Sequence, residues 1–162
     1  MDDDERDAIR DAGARVRQVR TTIGSALNLH RPRVVIAHSL GSVAAYETLW
    51  MYPHLPVELL VTIGSPLAFP DRIFPRLQPA PIAGRGKRPP GVCRWVNIAD
   101  PADLVALPRW LATHFDGVDQ DLETPAGPLF PHMAKAYLET PVLRGVLREH
   151  LQRPSSVDNP TP

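Results

Sequence analysis

The nine residues VVIAHSLGS, 34 to 42, restrict the fold of this chain more than any other stretch. Val34 to Ala37 is an unbroken apolar run, the kind of strand buried on both faces of a parallel sheet. From Leu40 to Met51 the chain is apolar nearly all round (Val43, Ala44, Ala45, Leu49, Trp50, Met51), which describes a buried helix. Ser39 therefore stands where a buried strand turns directly into a buried helix, with Ala37 two residues before it and Gly41 two after. Such a junction belongs to a parallel α/β sheet, in which ligands sit at the carboxyl ends of the strands.

The rest of the chain fits that architecture. Residues 4 to 27 read as an amphipathic helix, with Ile9, Ala12, Val16, Val19, Ile23 and Ala26 at three- and four-residue steps and arginines between them. After the strand at 33 to 37, VELLVTI (57 to 63) and VCRWVNI (92 to 98) are further continuous strands, and Val118 to Glu123 is a weak last one. Pro53 and Pro56 end the buried helix. Residues 67 to 91 are irregular apart from a short helix at Asp71 to Leu77, and 104 to 115 is a short helical or turn region. Helices at His132 to Leu138 and Pro141 to Gln152 close the fold. The expectation is a three-layer αβα domain with a short, mainly parallel sheet over residues 1 to 152, followed by a disordered tail at 153 to 162.

Composition narrows the function classes. Lys+Arg and Asp+Glu balance at 18 each, so bulk charge gives no reason to expect a nucleic-acid partner. The single cysteine, Cys93, excludes an internal disulfide and suits a reducing compartment. The acidic start, MDDDERDAIRDAG, is not a secretory signal and no run reaches the length of a membrane span, so a cytoplasmic location is expected. Cys93 in its strand reads as core. Trp95 and Trp110 also read as core, with Trp110 an alternative lining for a pocket. The basic loop Gly84 to Arg88 lacks the spacing of a phosphate loop.

A serine on a strand-to-helix turn is pushed out of the sheet, and the N–H of the next residue, Leu40, points toward a developing oxyanion. This is the arrangement of a nucleophile elbow, here with alanine in place of its first glycine. A nucleophilic serine needs a base, and the base needs an orienting acid, in the chain order Ser, acid, His. The acid is expected just past a later strand, where Asp100 and Asp103 compete. Asp103, followed by Leu-Val and Pro108, is favoured, because Asp100 can simply cap its turn. Of the later histidines, His150 reads as surface and His114 as structural, whereas His132 follows the last strand at the mouth of a helix. The expected set is Ser39, Asp103 and His132, with Leu40 as oxyanion donor and no metal. His38 reads as a packing or substrate-facing residue.

With these residues in this order, the chain resembles the α/β-hydrolase superfamily over roughly residues 4 to 152, and more closely bacterial lipase- and esterase-like serine hydrolases related to GPI-inositol deacylases. VVIAHSLGSVAAYETLW, VTIGSPL, RWVNIADPADLVALP and PHMAKAYL carry the likeness. The resemblance implies cleavage of an ester or amide bond through an acyl-enzyme on Ser39, without metal or organic cofactor. The substrate class, whether lipid, small ester or peptide, stays open.

The chain also departs from that pattern. In the family several strands precede the elbow, and a turn after one of them, often His-Gly, gives a second oxyanion N–H. Residues 1 to 32 hold one helix and no such strand, so the likeness is to an amino-terminally truncated hydrolase. Loss of one oxyanion donor typically costs about a hundred- to a thousandfold in rate. The elbow strand then becomes a sheet edge. Three readings follow: a fragment of a longer hydrolase, a short protein pairing with a second copy or partner chain at that edge, or a catalytically weak or inactive interaction module.

Overall fold

In the computed structural model, residues 3–127 and 132–153 are described. The elements in chain order are α1 (Asp3–His30), β1 (Val34–His38), α2 (Leu40–Met51), β2 (Val57–Ile63), β3 (Gly86–Lys87), β4 (Val92–Ala99), β5 (Phe115–Asp116), β6 (Gln120–Glu123), α3 (Ala134–Leu138) and α4 (Pro141–Gln152). Single 3₁₀ turns stand at Phe74–Arg76, Leu104–Ala106 and Leu111–Thr113. The four main strands form one sheet in the order β1-β2-β4-β6, every neighbouring pair parallel. This is the α/β architecture expected of alternating apolar strands and helices. The two-residue strands β3 and β5 pair separately, a feature too short to show as a pattern in the sequence.

Side chains alternate across the sheet and divide the core in two. On one face Leu60 and Trp95 pack with Leu27 of α1, Tyr46 and Leu49 of α2, and Leu67, Leu77, Leu111 and Phe115 from the connections. On the other, Leu59, Val61, Ile63, Val96 and Ile98 meet Tyr137 of α3 and Leu143 and Val146 of α4. Helices thus cover both faces. The longest connection, between β2 and β4, is tied down by polar bonds as well as by its apolar residues: Glu47, paired with Arg20, accepts the Gln78 N–H at 3.0 Å.

Several local expectations are corrected. Cys93 is exposed rather than core. It is the second residue of β4, next to Val92, and its side chain lies on the face opposite those of Val92 and Arg94. His150 is buried rather than on the surface, because it lies one helical turn after Val146 on the face that α4 packs inward. Its Nε2 is 3.3 Å from Glu58 Oε2, without the alignment of a hydrogen bond. Trp110 is exposed, and the buried residue of its 3₁₀ turn is Leu111. The helix expected at 71 to 77 is a single 3₁₀ turn. Along the described side chains of α1, Leu27 is buried and Ile23 partly buried, while Val16 and Val19 are about half exposed. Of the tail expected at 153 to 162, residues 154 to 162 lie outside the described residues. Among the described residues no helix is long and apolar enough to cross a membrane.

Candidate functional site

Because the strands run parallel, their carboxyl ends share one rim of the sheet, and that rim gathers Ser39, Asp103 and His132. Ser39 follows β1 directly and leads into α2. Its backbone has φ 52° and ψ −134°, a strained conformation for a residue with a side chain. Three bonds hold it there. The Ser39 N–H donates to the Ile63 carbonyl at 3.2 Å, and the Ser39 carbonyl accepts from the Ser42 N–H at 2.9 Å and the Ser42 hydroxyl at 2.6 Å. The Ser42 hydroxyl in turn lies 2.7 Å from the Ser65 hydroxyl, in the turn that leaves β2. The first amides of α2, those of Leu40 and Gly41, have no acceptor within the helix.

Ser39 Oγ is 2.8 Å from His132 Nε2. His132 Nδ1 is 3.0 and 2.9 Å from the two oxygens of Asp103, whose side chain is fully buried. An ionised carboxylate only accepts, so Nδ1 carries the imidazole proton and Nε2 is left to accept from the Ser39 hydroxyl. Asp103 also caps the 3₁₀ turn at Leu104–Ala106, accepting from the Val105 N–H at 3.0 Å. The Tyr137 hydroxyl donates to Asp103 Oδ2 at 2.8 Å. Ser39, Asp103 and His132 are therefore brought together, from positions far apart in the chain.

Asp100 is not part of that set. Its carboxylate accepts the N–H of Ala102 and that of Ala126, tying the turn after β4 to the one after β6. His114 stands apart as well, with Nδ1 at the Thr113 hydroxyl and its ring edge-on to Phe74.

Three further residues support this set through contacts that the sequence alone does not assign. Tyr137 looks like any apolar helix residue, yet its hydroxyl also accepts the Asp100 N–H at 2.8 Å. Burial pushes the Tyr137 hydroxyl well above the usual tyrosine value, so it remains a donor to Asp103 at any ordinary pH. His38 packs against the base: its Nε2 donates to the His132 carbonyl at 2.8 Å, with the two rings 4.8 Å apart. Burial holds His38 below the usual histidine value, which outweighs the opposing effect of that bond. Gly64 ends β2 with φ 54°, and a Cβ there would lie 2.9 Å from Asp103 Oδ2 and 3.0 Å from the Tyr137 ring. Its place in VTIGSPL is visible, but its reason is tertiary.

A Cβ at Gly41 would meet nothing within 4 Å among the described residues, so the residue is not forced by close packing. It follows β1, an edge strand of the sheet, where among the described residues no further strand crowds the turn. Ala37, by contrast, is buried.

A cleft of about 530 Å³ opens beside Ser39 and His132, within the size range of small-molecule sites. Its other walls are Leu40, Pro66, Phe69, Arg72, Ile73, Leu104 and Val105. Among the described residues, no three His, Cys, Asp or Glu side chains converge to hold a metal ion. No family model, curated protein or solved structure matches the chain.

Proposed function

We propose that the protein is a serine hydrolase of the α/β-hydrolase kind that cleaves an ester or amide bond through an acyl-enzyme on Ser39. The observation that supports this reading is the unbroken relay from Ser39 Oγ through His132 to the buried Asp103, set on a strained elbow.

In the proposed reaction the Ser39 oxygen attacks the substrate carbonyl carbon while its proton passes to His132 Nε2, and Asp103 stabilises the imidazolium. The carbonyl oxygen becomes an oxyanion facing the Leu40 N–H. Collapse breaks the bond to the leaving alcohol or amine, which takes the proton from His132. Water then attacks the acyl-enzyme, giving its proton to His132, and the second collapse releases the carboxylic acid and returns the proton to Ser39. The net change for an ester is one ester and one water to one acid and one alcohol.

The decisive experiment is treatment with a fluorophosphonate probe and mass-spectrometric location of the adduct. Uptake at Ser39 that disappears in Ser39→Ala and His132→Ala supports the assignment. Labelling that survives His132→Ala overturns it. A cytoplasmic setting and a small or lipid-like substrate fit this reading, as does pairing of two copies along β1.

A further inference from the structure

We propose that the cleft beside Ser39 takes an ester with an apolar body and one anionic group, and that Arg72 binds the anion; the inference rests on the hydrolase reading above. Once Ser39 and His132 are assigned to the reaction, the remaining walls divide sharply. Leu40, Pro66, Phe69, Ile73, Leu104 and Val105 are apolar, and Arg72 is the one remaining polar side chain. Apolar walls remove hydrocarbon from water with no polar partner to offer, so they suit an acyl chain or a similarly apolar alcohol.

Arg72 differs from arginines that have structural work. Arg20, Arg94 and Arg109 each sit on a carboxylate. Arg72 is exposed, and among the described residues no carboxylate is paired with it. The neighbouring Asp71 does not line the cleft. Its backbone has φ 62°, and the Arg72 N–H donates to the Pro70 carbonyl at 2.7 Å, which makes a tight γ-turn centred on Asp71. That strained turn fixes the point from which the Arg72 side chain leaves the backbone. A guanidinium left without a partner at the wall of an apolar cleft is matched by a carboxylate or phosphate on the bound molecule.

The test compares matched esters by kcat/KM. For charge on the acyl side, p-nitrophenyl octanoate is set against mono-p-nitrophenyl suberate, which has the same chain length and a terminal carboxylate. For charge on the alcohol side, phenyl octanoate is set against para-carboxyphenyl octanoate. Each anionic-to-neutral ratio is measured in the wild type, Arg72→Gln, Arg72→Lys and Arg72→Glu, which removes differences between leaving groups. In at least one arm the wild-type ratio should exceed that of Arg72→Gln by about fivefold, the upper end for a partly exposed ion pair. The excess should appear in KM and shrink as salt is added. Arg72→Lys should keep part of it and Arg72→Glu reverse it. Equal ratios in the wild type and Arg72→Gln in both arms, with Ser39 still labelled by fluorophosphonate, overturn this inference and leave the hydrolase reading standing. No labelling and no hydrolysis of any ester overturn both.

Discussion

The Tyr137 hydroxyl bridges the two aspartates that compete for one role, donating to Asp103 Oδ2 at 2.8 Å and accepting the Asp100 N–H at 2.8 Å. One buried phenol thus fixes the Asp103 carboxylate relative to the end of β4. Removing it deprives a buried carboxylate of a donor and a buried N–H of its acceptor. Tyr137→Phe should lower stability by about 1–3 kcal/mol and slow fluorophosphonate uptake at Ser39 about tenfold, the scale of one hydrogen bond to a charged group. Denaturant titration and labelling kinetics on the same preparation check both.

The same residue carries a pH prediction. Burial raises the Tyr137 hydroxyl above its ordinary value, and the Asp103 bond and charge act in the same direction. Above about pH 10 the unfolded chain has lost that proton while the folded chain still holds it. Fewer protons on the unfolded state mean that unfolding becomes easier as pH rises. This contribution is complete below about pH 10 and is lost progressively above it. Melting temperatures measured across that range should fall less steeply for Tyr137→Phe than for the wild type.

Asp103 and Asp100 make separable predictions. Asp103→Asn keeps the shape but lets His132 take the wrong tautomer, which should lower the rate by about ten-thousandfold. Asp100→Asn loosens the turns held at Ala102 and Ala126 and should cost stability with a smaller loss of rate. Labelling rates beside thermal melts would decide the matter, and a larger rate loss from Asp100→Asn would transfer the acid's role to the strand end.

Much of this site was legible because its signals are local. A continuous apolar strand, a serine at its end and a buried helix after it need no distant partner to be recognised, and three of the four main strands carry continuous apolar runs, β6 (QDLE) being the weak one. The chain order of Ser39, Asp103 and His132 adds a constraint of topology that the sequence also contains. What was hidden depends on contacts across the sheet rim. Tyr137 acquires its role only when α3 docks over β4, and His38 only when the residues after β6 return past β1. Cys93 and His150 were misread for the converse reason. An apolar strand run does not reveal which of its positions stays uncovered, and a charged stretch such as REHLQ does not reveal which face of its helix is covered.

The two glycines near the elbow should respond oppositely to alanine. Gly64 combines a positive φ with a Cβ position 2.9 Å from Asp103 Oδ2, so Gly64→Ala must displace the carboxylate or the strand end. It should cost about 1–3 kcal/mol and most of the activity. Gly41 lies in α2 with open space above it, so Gly41→Ala should be neutral or stabilising by up to about 1 kcal/mol. Thermal melts of both variants check this. A strongly destabilised Gly41→Ala would show that another segment or chain packs against the elbow in solution.

The last prediction concerns β1. It pairs with β2 from Val34↔Leu59 to His38↔Ile63, and among the described residues it has no second neighbour. An edge of this kind presents unpaired N–H and C=O groups beside apolar side chains, here with Ile36 exposed. Water satisfies the backbone groups but not the isoleucine. A second copy satisfies both, because two β1 strands related by a two-fold axis pair antiparallel and close the edge without leading to a filament. The chain should therefore sediment as a dimer at micromolar concentration. Ile36→Lys places a charge on the edge and should give monomers with little loss of stability. Val35→Lys should dissociate the dimer and also destabilise the fold, because Val35 packs against the core shared by α1 and α2. A wild-type chain that sediments as a monomer and unfolds cooperatively would overturn the pairing.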